Sequence, residues 1–423
     1  MSMSVWTRAC RLVSRYLSEG KRLDHLLEAG SANLEPGERR RCRFLVYGVV
    51  RHLALLDAAL KAHLRRRPRP LLRAVLLVGA YELLEDPEAT PRIVHHAVGQ
   101  ARLLLSAREA GLVNAVLRRS AITLREWASD RDEGPSAMAR RFSHPEWMVR
   151  RWLAAWGSEA TKALLAWNQR PAATHARVVG GRDRTPLPPF FRETPWPGFF
   201  RLEQADWEVV ERMLRAGEIY LQDPATRLAP EAMAAAPGEV LLDLCSAPGG
   251  KALQLAEAVG EEGRVVAGDL AGPRLERLKE NVARHAPGRI EVVALDLGQP
   301  LPAQLERAGQ PTVFAGVLVD VPCSNTGVLQ HRVDVKWRLR PEDIPALAET
   351  QLRMLRHAAA VVAPGGRLVY STCSLEPEEN AGVVERFLAE SDGAFALEQA
   401  VRSLPWESGC DGAGVFRLRR REA

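Results

Sequence analysis

The chain has 423 residues, 46% hydrophobic and 26% charged, with a formal net charge of +6. That length and apolar content can bury a large core and should divide into two or three domains. The composition excludes several classes: no apolar run approaches a membrane span, Arg8, Arg11 and Arg15 interrupt any signal-like segment, and six scattered cysteines make neither a disulfide framework nor a zinc site. A cytoplasmic protein with free thiols, no metal and no membrane partner is expected.

In chain order, residues 6–17 and 39–64 carry apolar side chains at three- and four-residue spacing, the helical period. Residues 71–81 are apolar almost all round, as the central helix of a bundle must be. Pro91 opens the next helix, and residues 112–117 belong to the last. Residues 1–126 are therefore expected as an all-helical domain. Residues 1–150 hold 26 Lys/Arg against 16 Asp/Glu, while the remainder hold 32 against 36. A basic first third fits an anionic polymer such as RNA or DNA as partner, or ordinary solvated helix faces. The charged, aperiodic stretch around Gly134-Pro135 predicts a linker over 127–141. Residues 142–216 predict a small α/β extension, with one helix through 147–156 and proline-broken apolar pieces at 185–189.

Beyond Val240, apolar strands alternate with amphipathic helices. Strands are expected at 239–244, 264–269, 290–295, 313–320 and 367–372, and helices near 250–260, 272–286, 344–362 and 378–389. This alternation predicts a mostly parallel sheet covered on both faces, with ligands at the carboxyl ends of its strands. The first strand runs into Cys245, Ser246, Ala247, Pro248, Gly249, Gly250 and Lys251, a loop whose glycines allow backbone to approach a ligand. It is neither the dinucleotide fingerprint nor a P-loop. Asp269 and Asp296 follow the next two strands, placed to accept from ribose hydroxyls and an adenine amino group. Each acid taken singly reads as a turn former or cap. Together, beside the glycine loop, they fit an adenosine-bearing cofactor.

Two thiols complete the pattern. Cys323 and Cys373 each follow an apolar strand, and Asp320 stands three residues before the first. Cytosine C6 is a Michaelis-type acceptor, and a thiolate adding there makes C5 nucleophilic enough to take a methyl group. An acid near N3 polarises the ring. Cys373, Asp320 and the glycine loop can supply nucleophile, acid and methyl donor. Buried cysteines often act only as small hydrophobes, and that reading suits Cys10, Cys42 and Cys410.

Residues 241–389 resemble the Nol/Nop/Sun family of RNA 5-methylcytosine methyltransferases. The resemblance rests on Asp243-Leu-Cys-Ser-Ala-Pro-Gly-Gly-Lys251, Asp320-Val-Pro-Cys-Ser324, His331-Arg-Val-Asp-Val-Lys-Trp337, and Ser371-Thr-Cys-Ser374 with Glu378-Glu379-Asn380. It implies a Rossmann-like class I methyltransferase domain, with Cys373 as nucleophile and Cys323 assisting product release. It also implies that the loop from Cys245 to Lys251, with Asp269, Asp296 and Asp320, holds S-adenosylmethionine, and that Asp320 meets cytosine N3/N4. Arg43 to Arg51, Gly111 to Arg118 and Phe142 to Trp147 extend the likeness to a branch acting on bacterial 16S rRNA, which carries a NusB-like helical RNA-binding domain. The implied layout is a NusB-like domain over 1–126, a linker over 127–141, an RNA-binding extension over 142–216 and a catalytic domain over 217–423. A monomer acting on RNA, 16S rRNA in particular, follows. Ala252 and Asn325 depart from the family pattern; neither is expected to touch the chemistry, and both are placed to tune cofactor affinity or the fit around the flipped base. Arg65-Arg66-Arg67-Pro68-Arg69 is a candidate phosphate-binding run, and Arg332, Lys336 and Trp337 are candidates for RNA or base contact, with core packing the alternative for Trp337.

Overall fold

Residues 4–180 and 186–422 are described by the computed structural model. They divide into one unit of Met1–Pro171 with Leu329–Arg338, and a second of Ala172–Val328 with Leu339–Ala423. Thr185, in the predicted proline-broken stretch, lies outside the described residues.

The first unit is helical: α1 Val5–Glu19, α2 Leu23–Ser31, α3 Pro36–Arg51, α4 Leu53–Lys61, α5 Pro70–Glu85, α6 Thr90–Ala101, α7 Ala107–Ala128, α8 Pro135–Arg141 and α9 Glu146–Gln169. The spacing in the sequence turns one face of α1 inward, burying Trp6, Ala9, Cys10, Leu12, Val13 and Tyr16. On α5 every residue from Ala74 to Leu83 is buried, as its all-round apolar surface requires. Each such Leu or Val contributes about 1.5–3 kcal/mol of apolar burial. The stretch 39–64 is two helices, because the backbone leaves the helical range at His52 (φ −101°, ψ 16°). Side-chain periodicity passes through a one-residue break unchanged, so the sequence does not reveal it.

The expected linker over 127–141 is narrower. α7 ends at Ala128, and Pro135 opens α8 at a position where its missing N–H costs nothing. The helix expected at 147–156 continues to Gln169 as a second run across Gly157, whose φ is 76°.

Leu329–Arg338 carries α15 (Val335–Arg338) and packs within the first unit. Lys336 is 1% exposed and donates to the Arg51 carbonyl at 2.9 Å. Trp337 Nε1 donates to the Val50 carbonyl at 2.8 Å. Burial, with the Arg51 charge adding, pushes the Lys336 ammonium well below the usual lysine range. Lys336 is thus an interior group of the helical unit rather than an RNA contact, and Trp337 takes its core alternative.

The second unit opens with a small antiparallel sheet: β1 His175–Val178, β2 Phe191–Glu193, β3 Phe199–Leu202 and β4 Ile219–Leu221, in the order β2-β3-β1-β4, with α10 Trp207–Arg215. After α11 Leu228–Met233 come β5 Val240–Leu244, α12 Gly250–Val259, β6 Arg264–Asp269, α13 Pro273–His285, β7 Ile290–Ala294, α14 Pro302–Arg307, β8 Phe314–Asp320, α16 Asp343–Ala359, β9 Val362–Thr372, α17 Ala381–Glu390, β10 Phe395–Ser403, α18 Pro405–Ser408 and β11 Ala413–Arg420. The sheet order is β10-β11-β9-β8-β5-β6-β7. β5 through β9 are parallel, and β11 pairs antiparallel with both β9 and β10. β9 begins five residues before its predicted start, because Val362 pairs with Phe314 ahead of a register shift that absorbs Pro364-Gly365-Gly366. The order reverses between β5 and β8, the switch point at which ligands of such sheets bind.

Candidate active site

β5 is fully buried from Leu241 to Leu244 and ends in the predicted glycine loop. Gly249 takes φ +110°, which an L side chain rarely adopts, and the loop then enters α12 at Gly250. Asp243, 0% exposed at the strand end, accepts from Ser246 Oγ at 2.6 Å, and its Oδ1 has no partner. Burial pushes this carboxyl up to about 7, against the pull of Ser246 and Lys251. Burial, with Asp269 and Asp320 adding, pushes the Cys245 thiol up to about 12, so it stays neutral near pH 7.

The raised Asp243 has a consequence for stability. Between the ordinary aspartate range and pH 7 the folded state binds more protons than the unfolded one, so this stabilisation is complete in acid and lost as pH rises through about 7. Asp243→Asn removes the titration. The variant is expected to gain about 2–3 kcal/mol on the wild type between pH 5 and pH 8, read by urea unfolding at both values.

The other acids sit at successive strand ends. Asp269 closes β6, where its Oδ2 accepts from Ala247 N at 2.9 Å and Arg274 at 3.2 Å, pinning the glycine loop to the second strand. Asp320 closes β8 and pairs with Lys251 at 2.7 Å through Oδ2, leaving Oδ1 unengaged. Burial opposes the Lys251 charge, but the charge and hydrogen bond of Asp320 outweigh it and hold the ammonium raised. Asp296, past β7, is exposed, and its Oδ1 accepts from Gly298 N at 2.9 Å. Among the described residues no hydrogen bond joins it to the other acids.

The two thiols meet. Cys323 Sγ and Cys373 Sγ lie 3.2 Å apart, delivered by the ends of the neighbouring parallel strands β8 and β9. Sharing with Cys373 and then burial push Cys323 well above the usual thiol range. Gly327 permits this closeness. Its N–H donates to the Cys373 carbonyl at 3.0 Å, and a Cβ there would fall 2.8 Å from that oxygen and 2.7 Å from the Gly412 carbonyl.

Asn325 corrects one expectation. Its Oδ1 lies 3.4 Å from Cys373 Sγ, and its Nδ2 donates to the Cys323 carbonyl at 2.6 Å. It holds φ +60°, a conformation Asn tolerates better than most residues. This departure from the family pattern therefore touches the thiols directly.

Glu379 is a residue to which sequence reasoning gave no role. It is fully buried, and its Oε1 accepts from Ser324 N at 2.8 Å and Gln351 Nε2 at 2.9 Å. Its Oε2 accepts from Ser374 Oγ at 2.5 Å and from Ser324 Oγ. Burial raises this carboxyl, and the four donors oppose the rise. Ser324 and Ser374 each follow one of the thiols, so one side chain ties both cysteine turns together. The repeated Cys-Ser pair was the available signal.

The site's donor set suits a cationic adenosyl group. Among the described residues, Asp296 and Asp320 each keep a carboxylate oxygen without a hydrogen-bond partner, available to hydroxyl, amino or sulfonium groups. The glycine loop supplies close backbone.

A mostly parallel seven-stranded sheet with an antiparallel edge hairpin, a glycine loop after its first strand and acids at the following strand ends, defines an S-adenosylmethionine-dependent methyltransferase. The family model described as 16S rRNA methyltransferase RsmB/F matches residues 230–406, and that of the NusB family matches residues 6–121. The chain is 32% identical to the ribosomal RNA small subunit methyltransferase B of Sodalis glossinidius, covering 94% of this chain and 92% of that one. It is 31% identical to the probable ribosomal RNA small subunit methyltransferase B of Synechocystis, over 85% and 82%. In fold it matches the crystal structure of PH0851 with a TM-score of 0.75 at 22% identity, covering 99% of this chain and all of that one. The chain belongs to the RsmB family of rRNA methyltransferases, and it is an enzyme that uses S-adenosylmethionine. Among the described residues no helix is long and apolar enough to cross a membrane.

Proposed function

We propose that the enzyme methylates C5 of a cytosine in 16S rRNA through a transient bond between Cys373 and C6. The observation that carries this reading is the pair of thiols 3.2 Å apart at the ends of β8 and β9, β8 lying next to the strand that feeds the glycine loop, with the Lys251–Asp320 pair beside them. The small-subunit rRNA named for the relatives supports the choice of RNA.

Bound S-adenosylmethionine supplies an electrophilic methyl group. Sharing with Cys373 and burial push Cys323 up, and the stretch Ser371-Thr-Cys-Ser374, which resembles the family's nucleophile motif, gives the attack to Cys373. Cys373, its proton lost to solvent, would add to C6, and the electron pair pushed to C5 would take the methyl group as the methyl–sulfonium bond breaks and S-adenosylhomocysteine leaves. Oδ1 of Asp320 accepts from the exocyclic N4 amino group and orients the ring. Once the Cys373 sulfur is bonded to carbon, the largest cause of the raised Cys323 disappears. Cys323 would then lose its proton to solvent and take the C5 proton, the electrons of the C5–H bond would re-form the C5–C6 double bond, and the Cys373 sulfur would leave as a thiolate. The cytosine must be flipped from its stack to reach the thiols, and a loop nucleotide is the cheapest to extract. Such a substrate places the enzyme in the cytoplasm.

The test is trapping. RNA carrying 5-fluorocytosine has no C5 proton to lose and should leave a denaturation-resistant adduct whose linkage mass spectrometry places on Cys373. Cys323→Ala should accumulate the same adduct with ordinary RNA. A linkage on any other residue, or no adduct in either experiment, overturns the two-thiol division of labour.

A further inference from the structure

The loop between α4 and α5 shapes a cavity of about 430 Å³ in the helical unit, lined by Asp57, Leu60, Lys61, Leu64, Arg65–Arg67, Pro68, Arg73 and Leu76. Five cations face one carboxylate. Both oxygens of Asp57 are already engaged, Oδ1 by Arg73 at 2.9 Å and Oδ2 by Lys61 at 3.0 Å. Arg69, just beyond, is held by Glu109 through two contacts of 2.6 and 3.0 Å, which fixes the far end of the loop. Arg65, Arg66 and Arg67 are exposed, and among the described residues none of them has a hydrogen bond or an ion pair. Three adjacent guanidinium groups repel one another and do nothing for the fold. A polyanion would relieve that repulsion, with release of its own counterions. The floor of the cavity differs from its rim: Leu64 and Pro68 are half-buried apolar surface, backed by the fully covered Leu60 and Leu76. A bare phosphate has no use for that floor, whereas the face of an unstacked base does. A duplex offers no free base face, and the cavity is small enough for one nucleotide.

We propose that this cavity seats one nucleotide of a single-stranded stretch of the RNA substrate, with phosphates of that nucleotide and its neighbours on Arg65, Arg66 and Arg67 and its base against Leu64 and Pro68. The proposal rests on the reading that the substrate is RNA. It adds a holding point in the helical unit, separate from the residues that do the chemistry.

The experiment compares three full-length proteins: the wild type, Arg65→Gln/Arg66→Gln/Arg67→Gln, and a control of equal charge loss, Arg307→Gln/Arg353→Gln/Arg402→Gln. Each is titrated with single-stranded and with duplex RNA over a range of salt, and melted without RNA. Three lost phosphate contacts should lower the salt slope for single strands by about 2. Affinity for single strands at low salt should fall at least tenfold, with a smaller loss for duplex and little change in the control. The melting temperature of the loop variant should stay level or rise, since repulsion is removed and no bond is lost. A loop variant that keeps the wild-type slope, a control that loses as much, an equal loss for duplex, or a fall in melting temperature would each overturn the nucleotide seat. A wild type that binds no RNA at all would instead sink the RNA reading, and this proposal with it.

Discussion

Cys373→Ala is expected to abolish methyl transfer, by about 10⁴-fold or more, while S-adenosylmethionine binds within about twofold of the wild type. The argument is chemical. Without a bond at C6, cytosine C5 is too poor a nucleophile to accept a methyl group, and no arrangement of hydrogen bonds replaces that bond. The nearest substitute is Cys323, 3.2 Å away, whose thiol loses its main source of upward pressure when Cys373 is removed. It stands on the neighbouring strand end, however, and a displacement of that size is enough to spoil an in-line attack. The measurement is transfer of labelled methyl to RNA, beside calorimetric titration of the cofactor. Substantial transfer by the single variant that vanishes in Cys323→Ala/Cys373→Ala would mean that either thiol serves. Full transfer by both would remove sulfur from the mechanism.

Glu379→Ala should carry the second largest effect, although Glu379 touches neither substrate nor sulfur. Four donors converge on this buried carboxyl, two from Ser324 and one each from Ser374 and Gln351. Truncation strands them in a dry environment at about 1–3 kcal/mol for each buried polar group left unsatisfied, tempered by hydroxyls that rotate to other partners. A loss of about 3–5 kcal/mol in stability is expected. Methyl transfer per folded molecule should fall about 100-fold, because the cysteine turns no longer hold their spacing. Glu379→Gln discriminates between the roles. Its amide oxygen can take the place of Oε1, and its NH₂ can donate to the two serine hydroxyls, which accept as readily as they donate. The Gln variant should therefore recover most activity. Its adduct with 5-fluorocytosine RNA should form at near the wild-type rate, and that of the Ala variant slowly. Equal activity per folded molecule in all three proteins would show that Glu379 supports the fold alone.

The central helix, the strands of the parallel sheet and the positions of both thiols were legible because each follows from a local pattern: a helix apolar on all sides, short apolar runs between amphipathic helices, and cysteines just past strands. What escaped was non-local. The contact of Asn325 with Cys373 depends on a left-handed backbone at φ +60° and on two strands being neighbours in space. The place of Glu379 beneath both thiols depends on a chain separation of 55 residues to Ser324. Lys336 invited a reading as an RNA contact because lysines are mostly exposed, yet its ammonium is buried on a carbonyl of α3. Pro135 looked like the middle of a linker when it is the first residue of a helix.

The ten residues Leu329–Arg338 give the protein an unusual wiring. The chain departs from the catalytic sheet just after the turn that carries Cys323, places Val333 in the hydrophobic core of the bundle and Lys336 on a bundle carbonyl, and only then returns to begin α16. The polypeptide therefore passes between the two units three times, at 171–172, 328–329 and 338–339. Severing the junction at residue 171 would leave residues 1–171 held only by packing against Leu329–Arg338, which stays covalently joined to the second unit at both of its ends. A catalytic fragment expressed alone would carry a stretch of core with nothing to cover it. The bundle is thus completed by ten residues drawn from a distant part of the sequence, so a cut by residue number does not coincide with the boundary of either unit.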